Sequence, residues 1–247
     1  MKLRTDESLM EAELSIVIPA YNEALRIGDT LDRIGDYLKS CGYSSEIIVV
    51  DDGSHDDTEK VVRKTAEKHS AIVLLQNGMN KGKGYSVKRG ILSSRGRFVL
   101  MSDADLSTPI EEIGKLFKEL EEGYDIAIGS RSVSGSKVLK RQTWYRQLMG
   151  KIFNKIVQAI AVSGIRDTQC GFKLFKGDAA RMVFARLRIE RFAFDVEALY
   201  LAKKMGFRIR EAPVVWVNSP DSKVSIFRDS LRMMRDLLKI RFHRYKL

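Results

Sequence analysis

Histidine, cysteine and proline are scarce in this chain, and each shortage removes a class of function. Two cysteines, Cys41 and Cys170, stand among 247 residues without C-x-x-C spacing. That excludes a disulfide framework and a cysteine zinc site, and favours a reducing compartment. Three histidines, His55, His69 and His243, are too few and too scattered for a histidine-rich metal centre. Four prolines with 44% hydrophobic residues exclude a disordered chain. No uninterrupted apolar run approaches the roughly 18 residues of a spanning helix. Residues 1–13 form a polar leader without the apolar stretch of a signal peptide. The chain therefore reads as cytoplasmic, soluble or peripheral to a membrane. Familiar phosphate loops are missing too. Gly78 to Lys83 misses the Walker A spacing by one residue and lacks Ser or Thr after the lysine. Neither G-x-G-x-x-G after the first strand nor G-x-S-x-G occurs.

Acidic residues are absent from one long stretch. Between Ile126 and Arg166 there are eight Lys/Arg and no Asp or Glu, and Ser225–Leu247 carries seven Lys/Arg against Asp229 and Asp236. The net charge of +11 lies in these two segments, so the remainder is close to neutral. Local basicity of this kind suits an anionic partner such as phosphate or a membrane surface. No aromatic RNA-binding motif accompanies it, so nucleic acid is not expected.

Short apolar runs alternate with helical patterns. Strands are expected at Leu14–Ile18, Glu46–Val50, Ala71–Leu75, Phe98–Met101 and Asp125–Ile128, several of them apolar on both faces, as buried parallel strands are. Helices are expected at Glu23–Lys39, Asp57–Lys68, Tyr85–Ser93 and Pro109–Glu121. Beyond residue 130 the pattern predicts a basic helix over Trp144–Val162 and a short strand at Phe172–Phe175. Helices near Asp178–Arg186 and Phe194–Lys204, a strand at Ala212–Val217 and an amphipathic helix from Ile226 complete it. Strand–helix alternation means an α/β fold with a doubly wound, mostly parallel sheet and helices on both faces, with ligands at the carboxyl ends of the strands.

Polar clusters fall at those ends: Pro19-Ala-Tyr-Asn-Glu23, Asp51-Asp-Gly-Ser54 and Asp103-Ala-Asp105. Turn chemistry alone can account for Asp103 and Asp105, since Asp bonds its own backbone and Ser107-Thr-Pro109 reads as a helix start. Three clusters converging on one edge favour a site instead. Paired aspartates beside a nucleotide-sized crevice suit a hard cation, Mg²⁺ or Mn²⁺, bridging carboxylates to a diphosphate they would otherwise repel. Asp56 and Asp57 read as caps of the following helix, and Lys81 and Lys83 are equally compatible with phosphate contact and with a solvated loop.

The stretches IPAYNE (18–23), VVDDGSHDDT (49–58), NKGKGYSVKRG (80–90) and DADLSTP (103–109) resemble inverting family 2 glycosyltransferases of the GT-A fold. GIRDTQCGFKLF (164–175), ERFAFDVE (190–197) and DSKV (221–224) are similar to the branch that glucosylates dolichyl phosphate. The resemblance implies a GT-A domain over 14–222, and the helical period and basic residues of 223–247 read as a basic amphipathic C-terminal helix. It implies metal-dependent, inverting transfer of a hexose, glucose from UDP-glucose, to a polyprenyl phosphate of the dolichyl type. GDP-mannose as donor, a non-lipid hydroxyl as acceptor, or an inactive GT-A-like binding module are the alternatives. By matching positions, Pro19, Tyr21, Glu23, Val50, Asp52, Asp103, Ala104, Asp105, Arg131 and Lys223 would hold the nucleotide sugar, with Lys81 added as the candidate phosphate contact named above. Asp52 would read the base, and Asp103 and Asp105 would hold Mg²⁺ or Mn²⁺. Asp103, Asp105 and Arg131 would be catalytic. Asp195 and Glu197 in FAFDVE read as a helical pair that faces water or bonds Arg191, or, the preferred reading, as groups near the acceptor with Asp195 catalytic. An acceptor phosphate already anionic at pH 7 requires no general base. The tail over 225–247 reads as a core-packing helix, at least in its first two turns, or, better matched to its excess of basic residues, as a helix lying on an anionic membrane at its inner face.

Overall fold

The computed structural model describes residues 12–140, 144–217 and 226–245. In chain order the first elements are β1 (Leu14–Ala20), α1 (Ile27–Cys41), β2 (Ser45–Asp51), α2 (Thr58–Ala66), β3 (Ile72–Gln76), α3 (Lys83–Ser93) and β4 (Phe98–Met101). A 3₁₀ turn (Ile110–Glu112) then leads into α4 (Ile113–Glu121), β5 (Ile126–Ser130), β6 (Lys137–Lys140) and α5 (Trp144–Ile160). The rest are β7 (Lys173–Lys176), α6 (Gly177–Ala185), α7 (Phe194–Lys204), β8 (Ile209–Pro213), β9 (Val215–Val217) and α8 (Ile226–Phe242).

Seven strands form one sheet in the order β3-β2-β1-β4-β7-β5-β8. All run parallel except β7, which is antiparallel to both β4 and β5. Strand order reverses between the parallel neighbours β1 and β4, which opens the crevice where ligands of such sheets bind. The antiparallel strand has a local consequence. Met101 and Ile128, near the carboxyl ends of β4 and β5, both register with Lys173 at the start of β7. The Cys170–Lys173 segment is thereby delivered to the same edge as the aspartates.

Alternation along each strand divides the core. On β1, Leu14, Ile16 and Ile18 face α1, α2 and α4, while Val17 faces the layer built from α3, α6, α7 and α8. On β2, Ile47 and Val49 join the first layer, and Ile48 and Val50 the second. Each such side chain contributes about 1.5–3 kcal/mol by leaving water. Ile27, Leu31, Ile34 and Leu38 give α1 its buried stripe. Gly42 stops the helix at φ 72°, its N–H donating to the Leu38 carbonyl at 3.1 Å.

Three expectations are corrected. The first helix begins at Ile27 rather than Glu23, because residues 22–24 are held in a loop by side chains of 54–58. Ala212–Val217 is not one strand. It breaks at Val214, so that β8 pairs with β5 while β9 joins β6 in a separate two-stranded sheet. The tail helix is not free amphipathic surface, since Met233, Leu237 and Ile240 are buried in the core that includes α7.

Candidate active site

Loops at the carboxyl ends of β1 and β2 are laced into one rim. The Asn22 and Glu23 amides donate to Ser54 Oγ (2.9 Å) and Thr58 Oγ1 (2.7 Å), and the His55 amide donates to Asn22 Oδ1 (2.8 Å). Asn22 adopts φ 52°, a conformation asparagine tolerates better than most residues. Tyr21 stands edge-on to His55, and Glu23 pairs with Arg26. Asp56 accepts from the amides of Thr58 (3.0 Å) and Ala24 (3.1 Å), which ties the rim to the start of α2. Asp57 makes no cap hydrogen bond and pairs with Lys60 instead. Pro19 is half-buried at the end of β1, and the fully buried Val50 side chain lies in the core, so Val50 offers a ligand only its main chain.

Asp52 is buried and already engaged. Oδ1 accepts from Asn77 Nδ2 (2.7 Å) and the Lys81 amide (2.9 Å), and Oδ2 from the Gly82 amide (2.8 Å). Its carboxylate therefore fixes the 77–82 loop, and a base would share it with these donors. Lys81 lies over the Tyr85 ring at 4.6 Å, its Nζ 3.2 Å from the hydroxyl. The loop turns into α3 at Gly82, whose φ of 107° only glycine adopts readily.

One residue later, Lys83 Nζ donates to Asp103 Oδ1 at 2.6 Å. Burial works against the Lys83 charge, yet Asp103, Asp195 and Asp105 more than offset it and hold its pKa above the ordinary lysine value. Burial likewise pushes Asp103 up, and Lys83, with Lys173 and Arg131 behind it, pulls the carboxyl below the usual range. Asp103 is 34% exposed and abuts Gly171, where a Cβ would stand 1.9 Å from Oδ2. The Ala104 carbonyl accepts from Thr30 Oγ1 (2.7 Å), and Asp105 Oδ1 from the Ser107 amide (3.0 Å). Leu106 between them has φ 43°, a left-handed value costly for a non-glycine residue.

Two further ion pairs border this centre. Arg131 grips Asp167 bidentately, Nε to Oδ2 at 2.7 Å and Nη2 to Oδ1 at 2.8 Å, with its guanidinium 5.3 Å from the Trp216 ring centroid. Glu211 holds that loop from behind by accepting the Arg166 and Asp167 amides at 2.8 and 2.9 Å. Burial pushes Asp167 up, but Arg131 outweighs it and the carboxyl lies below the usual range. The second pair, Lys173 with Asp195, is almost wholly buried, and Lys173 Nζ also donates to the Cys170 carbonyl at 2.6 Å. Here burial wins, and the Asp195 carboxyl is pushed above the ordinary value despite Lys173 and Lys83.

Of the residues expected from sequence, Asp52, Lys81, Asp103, Ala104, Asp105 and Arg131 are thus placed on the carboxyl edge or in loops against it, and Asp195 in the first turn of α7, paired with Lys173 beside them. Glu197 is not with them. It lies two residues beyond Asp195 on α7, about 200° around the helix, and accepts from the Arg188 and Ile189 amides. Lys223 lies outside the described residues. Asp167, Gly171, Lys173 and Glu211 went unassigned by sequence reasoning. For Asp167, Gly171 and Lys173 the only signal was membership of the 164–175 stretch, and the direction of β7 rather than periodicity brings that stretch to Asp103. Glu211, on β8, had no signal and reaches the site through the Arg166 and Asp167 amides.

The donors fit a hard divalent cation only in company with substrate. Among the described residues no group of three His, Cys, Asp or Glu is gathered to hold a metal. Asp103 and Asp105 supply oxygen only, and Mg²⁺ is commonly held by one or two carboxylates with substrate phosphates and water.

Residues 15–184 match the family described as glycosyl transferase family 2. The chain is 43% identical over 246 residues to a dolichyl-phosphate beta-glucosyltransferase of Dictyostelium discoideum, covering 95% of this chain and 75% of that one. The Homo sapiens protein of the same name is 39% identical, with 93% and 75% covered. Among solved structures, Mycobacterium tuberculosis glucosyl-3-phosphoglycerate synthase superposes with a TM-score of 0.70 at 18% identity, covering 94% of this chain and 82% of that one. The same enzyme bound to Mn²⁺, UDP-glucose and phosphoglyceric acid gives 0.67 at 18% identity, with 93% and 79% covered. At such identity these structures establish the shared GT-A fold.

Proposed function

The chain belongs to glycosyl transferase family 2, and on that premise we propose that it transfers glucose from UDP-glucose to a polyprenyl phosphate with inversion. Relatives at 43% and 39% identity named for glucosylating dolichyl phosphate support the acceptor class. The observation that carries the reading is the meeting of Lys83, Asp103 and the Asp52-held loop at the reversal point of the sheet. There a nucleotide can lie along the rim of 19–23 and 51–54 with its diphosphate over Asp103.

Mg²⁺ or Mn²⁺, held by Asp103 and Asp105 with the diphosphate, would supply charge neutralisation for the departing nucleotide. The chain's own cations add to it. Lys83 is held protonated beside Asp103, and Arg131 spends Nε and Nη2 on Asp167, leaving Nη1 for a phosphate oxygen. An acceptor phosphate oxygen forms a bond to the anomeric carbon as the bond to UDP breaks, turning an α-linked donor into a β-linked product. A phosphate monoester with second pKa near 6 needs no base at neutral pH. Asp195, neutralised by Lys173, is therefore a positioning residue on the acceptor side. Among the described residues no helix is long and apolar enough to cross a membrane. Leu238 and Phe242 are exposed on α8 beside Arg235, Lys239 and Arg241, and this face would rest on the inner leaflet where the acceptor's isoprenoid is embedded.

Incubating the protein with UDP-glucose or GDP-mannose, polyprenyl phosphate or polyprenol, and Mg²⁺, Mn²⁺ or EDTA tests all parts by mass spectrometry of the lipid. Glucosyl-phosphoryl polyprenol formed only with divalent cation is expected. A mannosyl product, or transfer to the free alcohol, would replace the donor or acceptor named here.

A further inference from the structure

The helix that presents Asp195 to the site presents Glu197 away from it. Glu197 is fully buried. Its Oε2 accepts the Ile189 amide at 2.7 Å and the Arg188 amide at 3.0 Å, and its Oε1 accepts the Tyr245 hydroxyl at 2.7 Å. Tyr245 follows α8 by three residues, with its ring against Tyr200 and His243. Burial and the Glu197 charge push the Tyr245 hydroxyl well above the ordinary tyrosine range, so it stays a donor.

The segment gripped by Glu197 supports the start of α3. The Glu190 carbonyl accepts the Tyr85 amide at 3.0 Å, and the Leu187 carbonyl accepts Lys88 Nζ at 2.7 Å. Contact is close enough that only glycine fits. A Cβ on Gly82 would lie 2.4 Å from the Glu190 carbonyl, and one on Gly84 2.5 Å from that of Ile189. Between those glycines sits Lys83, bonded to Asp103. A cleft of about 370 Å³, lined by Arg188, Ile189, Phe242 and Tyr245 among others, opens beside the hydroxyl contact. Packing alone therefore does not hold the tail there.

We propose that Tyr245 and Glu197 are positioning residues, through which the segment after α8 fixes residues 187–190 under α3 and so sets Lys83 against Asp103. The role in catalysis rests on the glycosyl-transfer reading above. The mechanical part does not. Tyr245→Phe removes one hydroxyl and keeps the ring, and Glu197→Gln keeps the shape and removes an acceptor. In Tyr245→Phe, amide exchange in peptides covering 82–86 and 187–190 should quicken about fivefold, as local opening becomes easier. Transfer kcat should fall about tenfold while KM for the nucleotide sugar changes less than about twofold, the pattern of a lost transition-state interaction. Glu197→Gln should shift both in the same direction and further. If Glu197→Gln does not fold, Tyr245→Phe carries the test alone. Unchanged exchange at 82–86, or a kcat loss no greater than the loss of folded protein, would overturn the proposal. If the wild-type protein transfers nothing to polyprenyl phosphate, the functional reading fails while exchange at 82–86 still decides the mechanical one.

Discussion

A hydrogen atom in place of a side chain at Gly171 decides where Asp103 can sit. Alanine there would put a carbon 1.9 Å from Oδ2, so the carboxylate must turn or the start of β7 must move. Overpacking of that kind costs about 1–3 kcal/mol, and displacement of a reacting group by about 1 Å costs on the order of 10²-fold in rate. Gly171→Ala should therefore fold, with kcat reduced about a hundredfold. Wild-type turnover in this variant would remove Asp103 from the chemistry. Asp105→Asn should lose more than about 3 kcal/mol of activation free energy, and EDTA should abolish wild-type activity until Mg²⁺ or Mn²⁺ is restored. The Arg131–Asp167 pair is read by pH. Because the folded carboxyl lies below its unfolded value of about 3.9, its stabilisation is complete above that pH and lost as pH falls through the lower folded value. Asp167→Asn should cost about 2–4 kcal/mol at pH 7, less than a wholly buried pair because Arg131 keeps 31% exposure. Urea unfolding at pH 7 and pH 3 should show that difference shrinking in acid. Asp195 runs the other way, its raised carboxyl making stability fall as pH rises from the unfolded value through the folded one. Residue type and spacing at a strand end mark Asp103 and Asp105 as candidates in the sequence, and only the family resemblance adds Arg131. Their partners Gly171 and Asp167 carry no such mark, and Lys83 reads as a phosphate contact or a solvated loop rather than as the partner of Asp103, because a partner is defined by approach in space.

At the scale of elements, hydrophobic period carried most of the fold. Phe98–Met101 and Phe194–Lys204 match the observed β4 and α7 end to end, and other boundaries move by a few residues where side chains capture the backbone. Period is blind to direction, so the antiparallel course of β7, on which the site depends, could not be read from Phe172–Phe175. It is equally blind to what covers an apolar stripe, and α8 shows the consequence. Met233, Leu237 and Ile240 face the core, while Arg235, Leu238, Lys239, Arg241 and Phe242 remain outside. Removing the last turns would strip the core and the surface together. Leu237→Ala should cost about 2–5 kcal/mol of stability, read as a lowered denaturation midpoint, with vesicle binding intact in the folded fraction. Arg235→Glu combined with Arg241→Glu should change stability by no more than about 0.5 kcal/mol per site and weaken co-sedimentation with anionic vesicles. The reverse allocation would mean that α8 is a core helix only.

Charge is the property that belongs to the whole molecule. The excess of +11 lies mainly in the 126–166 and 225–247 stretches, which contribute α5 and α8, two helices that pack against each other. Lys155, Met149 and Ile152 are exposed on α5, as Arg235, Leu238, Lys239, Arg241 and Phe242 are on α8, so both helices carry basic and apolar groups at the surface. Each Lys or Arg close to an anionic membrane contributes on the order of 1 kcal/mol, and apolar side chains add a part that salt does not screen. Ionic screening acts within about 8 Å at physiological salt and about 3 Å at 1 M, so the two contributions separate by titration. Binding to vesicles containing anionic lipid should fall steeply from low to high salt, leaving a small remainder equal to the binding on neutral vesicles. Transfer to a long polyprenyl phosphate embedded in those vesicles should follow the same curve. Transfer to a short-chain, water-soluble analogue should not, because that acceptor reaches Arg131 without the surface. A single salt dependence for both acceptors would locate the effect in the phosphate-binding site and overturn the proposal that these two helices meet a membrane.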